Sequence, residues 1–530
     1  MIIRRPDKHT GILILLIGAL IAFKARTLDL PYYWDEAWVY APAVKAMSTN
    51  GPSLSPTAIP PELSRGHPLM FHALASTWAM VFGIGRTSMH AFQLVLSCIV
   101  LVLTYVLARR FASPIAGLAA AALVVVNELF LAQSAILLPE MALTLFMLAA
   151  MLGALSRNAL LYIAFASAAL LTKESALVLP VAVGTLQMLT LLTSSSKEER
   201  REELKWLGIA LMPVIPAAIF FLVQCSSLGW VFYPEHLGMI TWDAKDIIYK
   251  AKTIYLRVFE DQGALVLTYA ACFGGPLLWR PVPLWRGVLT VLLLTASIKV
   301  LWGRWPLPLI PTLPATLLCL GLVVFVLLLP ALRTSKEPGR VIGLAYLFLV
   351  GYWAFCALNF YTDRYLLCMV PMMAIASMTV LHHALADRPP WVFRVVTATV
   401  ILVPAMRIGT GPDVGDTKLN YAAAIRSQKE LVGHCEQQRY HDRVFYGSFM
   451  DRYYMNDTTL GYLSSGRTFP LIADTLSPTT SLAIIGSNTP PEERAMLHAA
   501  GFRTEVRFGD VVAWNELLSR PEAHLSPAHP

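Results

Sequence analysis

The sequence predicts a polytopic α-helical membrane protein of about thirteen spans, closed by a small extracytoplasmic α/β domain. Its 530 residues are 56% apolar and only 14% charged, with a mean hydropathy of +0.57, a balance foreign to soluble multidomain chains. Apolar runs recur through the first 408 residues, most of them near the roughly 20 residues that cross a bilayer core. Beyond them the composition turns polar, and no glycine period, internal repeat or low-complexity tract appears.

The expected spans lie near residues 9–25, 87–108, 115–133, 141–155, 159–172, 175–193, 206–224, 263–279, 287–301, 307–332, 341–358, 366–383 and 394–407. With the N-terminus inside, the inner connections hold about 17 of the 42 Lys and Arg in about 56 residues, whereas the outer ones hold about 13 in about 126. That roughly threefold difference in density is the asymmetry of cytoplasmic loops, and an odd number of spans places residues 409–530 outside a cell (inner or plasma) membrane. The first run, Gly11 to Phe23 after Arg4, Arg5 and Lys8, lacks a small-residue cleavage site and reads as a span, not a signal peptide.

Pro68 to Gly83 is about 16 residues long and starts on a proline. It reads as an interfacial helix with Met70, Leu74, Trp78 and Phe82 on one face, because a fourteenth span would put Arg109 and Arg110 outside. Two outer loops, 26–86 and 225–262, are long enough to suggest function. In the tail, Arg443 to Tyr446, Ser481 to Ile485, Thr504 to Phe508 and Val511 to Trp514 read as strands, and Pro491 to Ala500 reads as a helix. The acids Asp442, Asp451 and Asp457 show no paired pattern there, so the tail reads as accessory. Five of the seven cysteines fall inside apolar runs without metal spacing; Cys225 and Cys435 read as free thiols, with a disulfide between them as the alternative.

Ionisable residues at the ends of spans are expensive and point to function. They gather on the outer side: Asp35 and Glu36, Asn127 and Glu128, Glu140, Lys173 and Glu174, Lys299 and Arg304, and Asp363 and Arg364. Taken alone, Asp35-Glu36 and Pro139-Glu140 suit helix starts, and Arg364 could pair with Asp363. Together they describe a polar cavity at the outer leaflet, where one carboxylate accepts a proton from a hydroxyl and a guanidinium binds a phosphate. His67, Glu235 and His236 are further candidates; lone histidines are more often structural, and the alternative has Glu235 and His236 holding a divalent metal ion.

Tyr33-Trp34-Asp35-Glu36-Ala37, Arg65-Gly66-His67-Pro68-Leu69, Pro139-Glu140, Leu171-Thr172-Lys173-Glu174 and Asp363-Arg364-Tyr365-Leu366 resemble, in order and spacing, the GT-C integral-membrane glycosyltransferases. The nearest branches are the protein O-mannosyltransferases and the lipid A aminoarabinose transferases. The resemblance spans residues 1 to about 385. It implies inverting transfer of a sugar from a polyprenyl-phosphate donor to a lipid, glycan or protein acceptor on the outer face, with membrane lipids as surroundings and no nucleic acid partner. Asp35, Glu36 and Glu140 are the expected catalytic acids, and Arg364, Tyr365, Lys173, Arg65 and His67 the expected contacts of the donor phosphate. Glu140 stands where many relatives have Asp, and His67 where aminoarabinose transferases have Lys, so the sugar does not follow from either branch. The other readings are an oligosaccharide ligase of similar architecture and a multi-span transporter, although transporters usually show repeats and interrupted midplane helices.

Overall fold

The computed structural model describes residues 8–194, 196–240, 242–260 and 337–520. Spans expected at 263–279, 287–301 and 307–332, with Lys299 and Arg304, lie outside these residues. Among the described residues six helical stretches are long and apolar enough to cross a membrane: Lys8–Thr27, Arg86–Phe111, Glu174–Leu192, Lys197–Leu228, Gly339–Leu358 and Asp363–Ala384. Pro114–Val125, Pro139–Leu155, Ala159–Leu170 and Pro390–Ala405 are apolar but shorter. The protein is thus a helical membrane protein in which each of the ten expected spans within the described residues falls on an apolar helix, six of them long enough to cross a bilayer core and four shorter.

Local chemistry explains the breaks. The run expected over 115–133 divides because Asn127 leaves the helix and its Oδ1 accepts the amide of Phe130, capping a second helix, Glu128–Gln133. Ser196 and Glu199 form a reciprocal capping box that starts Lys197–Leu211, so residues read as a polar connection begin a long helix. Along Lys8–Lys24, Ile12, Ile14, Leu15 and Ile21 face outward, as lipid contact requires.

The core is built round Pro139–Leu155, almost every residue of which is buried. Its neighbour Ala159–Leu170 lies so close that a Cβ on Gly153 would come within 2.5 Å of the Tyr162 amide nitrogen; only glycine fits there. Glu140 stands at one end of this helix. At the other, Arg157 and Arg340 share Glu203. The intervening helix is about 25 Å long, which separates two polar ends by an apolar middle.

Met70–Phe82 has 13 residues, about 20 Å, too short for a bilayer core. Its buried face is Phe71, His72, Ala75, Ser76 and Ala79, while Met80, Val81 and Phe82 are exposed. This differs from the expected apolar stripe because the helix packs onto Ala41–Asn50, with Tyr40 ringed by Phe71 and His72.

The tail forms a five-stranded sheet in the order β2-β1-β3-β5-β4, comprising β1 Phe445–Tyr446, β2 Ile472–Ala473, β3 Leu482–Gly486, β4 Arg503–Gly509 and β5 Trp514–Ser519. β1 is parallel to β2 and β3, whereas β5 runs antiparallel to β3 and β4. Three expected strands and the helix Pro491–Ala499 are present. Val511 to Trp514 is instead mostly turn, since the Asp510 carboxylate accepts the amides of Val512 and Ala513, and the strand starts at Trp514. Cys225 is exposed, Cys435 buried, and both are free.

The C-terminal region docks on the end of the first helix and the segment that follows it, through residues far apart in sequence. The Tyr32 amide donates to Leu460 O at 3.0 Å, the Tyr462 hydroxyl donates to Tyr32 O at 3.1 Å, and the Lys24 ammonium donates to the Tyr421 hydroxyl at 3.0 Å.

Candidate active site

The site begins with a strained turn. Trp34 holds φ at 51°, a left-handed conformation uncommon for a bulky side chain, and the chain then enters a π-helical turn, Glu36–Tyr40. Glu36 pins this turn from inside. Its Oε2 accepts the Tyr33 amide at 3.0 Å, and its Oε1 accepts the Leu137 amide at 2.7 Å and meets His90 Nε2 at 2.8 Å. Buried and fully engaged, Glu36 is thereby turned to scaffolding contacts, while its neighbour Asp35 points to a different group of residues.

Asp35 Oδ1 accepts the Trp38 indole N–H at 3.0 Å, and Oδ2 takes a short hydrogen bond from Arg364 Nη2. Arg364 lies in the 3₁₀ turn Asp363–Cys368. It also donates to Asp416 Oδ2 at 2.9 Å and approaches Glu140 Oε1 at 3.5 Å. Lys173 donates to Glu140 Oε1 at 3.0 Å and stands 3.4 Å from the centroid of the Tyr365 ring. Glu140 Oε2 and Arg364 Nε are buried without hydrogen-bond partners; such atoms are rare in native structures and mark a place for a further polar group.

Asp35, Glu140, Lys173, Arg364 and Tyr365, all singled out from the sequence, are thus brought together. Arg364 does not pair with Asp363, which instead meets Arg257 at 2.9 Å and accepts the Tyr361 hydroxyl at 2.6 Å. Asp416 is the member that sequence reading missed. Burial pushes its carboxyl above the ordinary carboxylate range, while Arg364 pulls the other way. Its backbone is anchored by Gln133 Nε2, which donates to Asp416 O at 2.7 Å, and Glu128 holds the following residues through Lys418 and the Leu419 amide.

A cavity of about 240 Å³ adjoins the cluster through Lys173 and Tyr365. Its lining includes the polar Arg65, His67, Glu174 and His236 and the apolar Phe232, Leu237, Ile240 and Phe360. Arg65 at φ 49° and Gly66 at φ 74° turn the chain, and a Cβ on Gly66 would press within 3.0 Å of Trp230 and Tyr233. That turn sends His67 to Glu174, 2.9 Å away.

Glu235 and His236 contact Arg65 at 3.6 Å and 3.3 Å. Burial, His67 and Arg65 together lower the His236 pKa to about 4. A guanidinium already occupies the position a cation bound by both side chains would take. Among the described residues no group of three or more His, Cys, Asp or Glu is arranged to hold a metal ion.

The fold and the buried cluster define a polytopic membrane protein with a buried group of charged side chains where several of its helices end. Residues 66–220, which carry His67, Glu140 and Lys173, match the model of the dolichyl-phosphate-mannose-protein mannosyltransferase family. This match supports the GT-C resemblance read from the sequence motifs. No curated protein sequence matches. Among solved structures, the chain is similar to ArnT from Cupriavidus metallidurans in the apo state, with 15% identity, 96% of this chain and 98% of that one covered, and a TM-score of 0.41. The same protein bound to undecaprenyl phosphate gives 16%, 97%, 99% and 0.41. Arabinofuranosyltransferase AftD from Mycobacteria gives 10% identity, 96% of this chain, 40% of that chain and 0.38.

Proposed function

We propose that the protein is a glycosyltransferase that moves a sugar from a polyprenyl-phosphate donor to an acceptor hydroxyl at the chamber formed by Asp35, Glu140, Lys173 and Arg364. The observation that carries this reading is the cavity beside the cluster, whose lining combines Arg65, Lys173 and two histidines, with Glu174 held by His67, and a larger set of aromatic and aliphatic side chains. A phosphate joined to a prenyl chain has that same combination of polar and apolar parts. The mannosyltransferase family match supports the class of reaction.

In this reading Asp35 accepts the proton of the acceptor hydroxyl as its oxygen forms a bond to the anomeric carbon. The bond from that carbon to the carrier phosphate oxygen breaks on the opposite face, so configuration inverts. Negative charge grows on the departing phosphate, and Lys173 and Arg65 are the cations on the cavity side able to stabilise it. Arg364 orients the Asp35 carboxylate, and Glu140 holds Lys173.

Undecaprenyl-phosphate titrations of the purified full chain test the donor half of the proposal. Arg65→Gln and Lys173→Met should each weaken binding by about 10- to 100-fold, the loss of a charge-assisted contact. Unchanged affinity in both variants, at wild-type folding, would remove the cavity from the donor site.

A further inference from the structure

A second cleft, of about 310 Å³, opens between the first outer loop and the C-terminal sheet, within the size range of ligand pockets, about 300–1,000 Å³. We propose that it binds the acceptor, and that the acceptor is a neutral, hydroxyl-rich glycan, not a phosphorylated lipid or a peptide. The proposal rests on the transferase reading above, since it names the second substrate of that reaction.

The position of the cleft is set by sheet topology. Ser448 follows the parallel strand β1 by two residues, and Ser487 to Thr489 follow β3; both segments line the cleft. Ligands of open α/β sheets sit outside the carboxyl ends of parallel strands. The opposite wall is Tyr33 and Trp34, immediately before Asp35, so a molecule lying in the cleft reaches toward the proposed base.

The chemistry of the lining selects the occupant. Trp34 is half exposed, and its strained backbone is held by the Tyr454 hydroxyl, which accepts the Trp34 amide at 3.1 Å, and by the Ala37 amide, which donates to Trp34 O at 2.8 Å. A rigid, exposed indole offers an apolar face with a polar edge, matching the C–H faces and hydroxyl rims of sugar rings. Asn488 supplies an amide and Ser487 a hydroxyl, groups that both donate to and accept from hydroxyls, while Gln428, Asn515, Ser448 and Thr489 line the cleft with part of their bonding capacity spent inside the protein.

None of the lining residues is Lys or Arg, so the cleft has no cation for an acceptor phosphate. The N-terminus of helix Phe449–Asn456, which could otherwise attract an anion, is already filled by Asp451. That carboxylate accepts the Ser448 amide at 2.7 Å and its hydroxyl at 2.6 Å, and its other oxygen takes Gln428 Nε2 at 2.8 Å. The second carboxylate, Glu493, accepts the Tyr446 hydroxyl at 2.7 Å. The acids are internally engaged, and their bonds also occupy the Gln428 amide N–H and the Ser448 hydroxyl, which leaves the Trp34 indole with Asn488 and Ser487 to lead recognition.

The test uses the full-length protein in detergent and a pool of neutral oligosaccharides of roughly four to eight sugars, released from the producing organism's envelope and cleared of charged species by ion exchange. Saturation-transfer NMR should detect binding to the wild type and to Asp35→Asn. Trp34→Ala should weaken it by roughly tenfold, Trp34→Phe by much less, and Asn488→Ala by several-fold. Absence of binding to the wild type, or equal binding by Trp34→Ala and Asn488→Ala, overturns the proposal. Displacement of the glycans by a Ser/Thr-rich peptide pool or a phosphorylated glycolipid, with the same dependence on Trp34, overturns the assigned acceptor class. The two levels separate cleanly. Unaltered glycan binding in the cleft variants with a dead Asp35→Asn refutes the cleft alone, whereas weakened glycan binding with a fully active Asp35→Asn refutes the assigned chemistry alone.

Discussion

Arg364 crosses 329 residues of sequence to donate to Asp35, and a second nitrogen of the same guanidinium donates to Asp416. One buried cation therefore fixes an acid from the first outer loop and an acid from the C-terminal region in a single geometry. The tail is consequently tied to the chamber, although its sheet stands apart from it.

Removing that cation should be severe. Arg364 is 7% exposed, and breaking a buried ion pair by deleting one partner typically costs about 3–5 kcal/mol, because the remaining charges lose their compensation. Arg364→Ala should therefore lower the thermal midpoint sharply and abolish transfer. Arg364→Ala/Asp416→Asn should recover part of the stability, since one orphaned carboxylate is gone. Equal midpoints for the single and double variants would show that the two residues are not coupled.

Glu36 and Asp35 should separate cleanly despite being neighbours. Glu36→Gln replaces one acceptor oxygen by an amide N–H₂, which then faces either the Tyr33 amide or the Leu137 amide, leaving a buried donor pair mismatched at about 1–3 kcal/mol. Its main effect should be a lower unfolding midpoint, with residual activity when assayed cold. Wild-type stability combined with lost turnover would return Glu36 to the catalytic group.

Adjacent acids illustrate what a sequence can and cannot disclose here. Asp35, Glu140, Lys173 and Arg364 stood out because charges at the edges of apolar runs need a reason. Which of Asp35 and Glu36 faces the chamber depends on the φ of Trp34 and on the π-helical turn, and neither follows from composition. Asp416 was passed over because an acid just beyond the last span looks the same whether solvated or folded back onto Arg364. Its signal was the pair Asp413 and Asp416 in a glycine-containing segment close to the membrane. Strand β5 was misplaced because Val511 and Val512 suggest a strand, while the local bonds of Asp510 make a turn. The sheet itself is legible from the short apolar run at Ser481 to Ile485 and from alternation at Thr504 to Phe508.

Asp416 also gives a pH signature. Its carboxyl is raised chiefly by burial. A group raised in the folded state contributes stability that is complete below its ordinary value of 3.8 and is lost as pH rises through the elevated value. Asn at this position does not titrate. The stability of wild type relative to Asp416→Asn should therefore increase as pH falls from about 7 toward about 4, followed by thermal unfolding at each pH. An opposite slope would mean that pairing with Arg364, and not burial, controls this carboxyl.

The most direct measurement is transfer by Asp35→Asn, which keeps the shape of the side chain but removes the proton acceptor. Purified wild type and variant, matched for unfolding midpoint and for undecaprenyl-phosphate affinity, should be compared in single-turnover transfer from a polyprenyl-phosphate sugar. The account predicts a rate lower by about 10²- to 10⁴-fold, the usual contribution of a general base, with donor affinity within a few-fold of wild type. Turnover close to the wild-type rate would contradict it and leave Glu140 or Asp416 as the acid to examine.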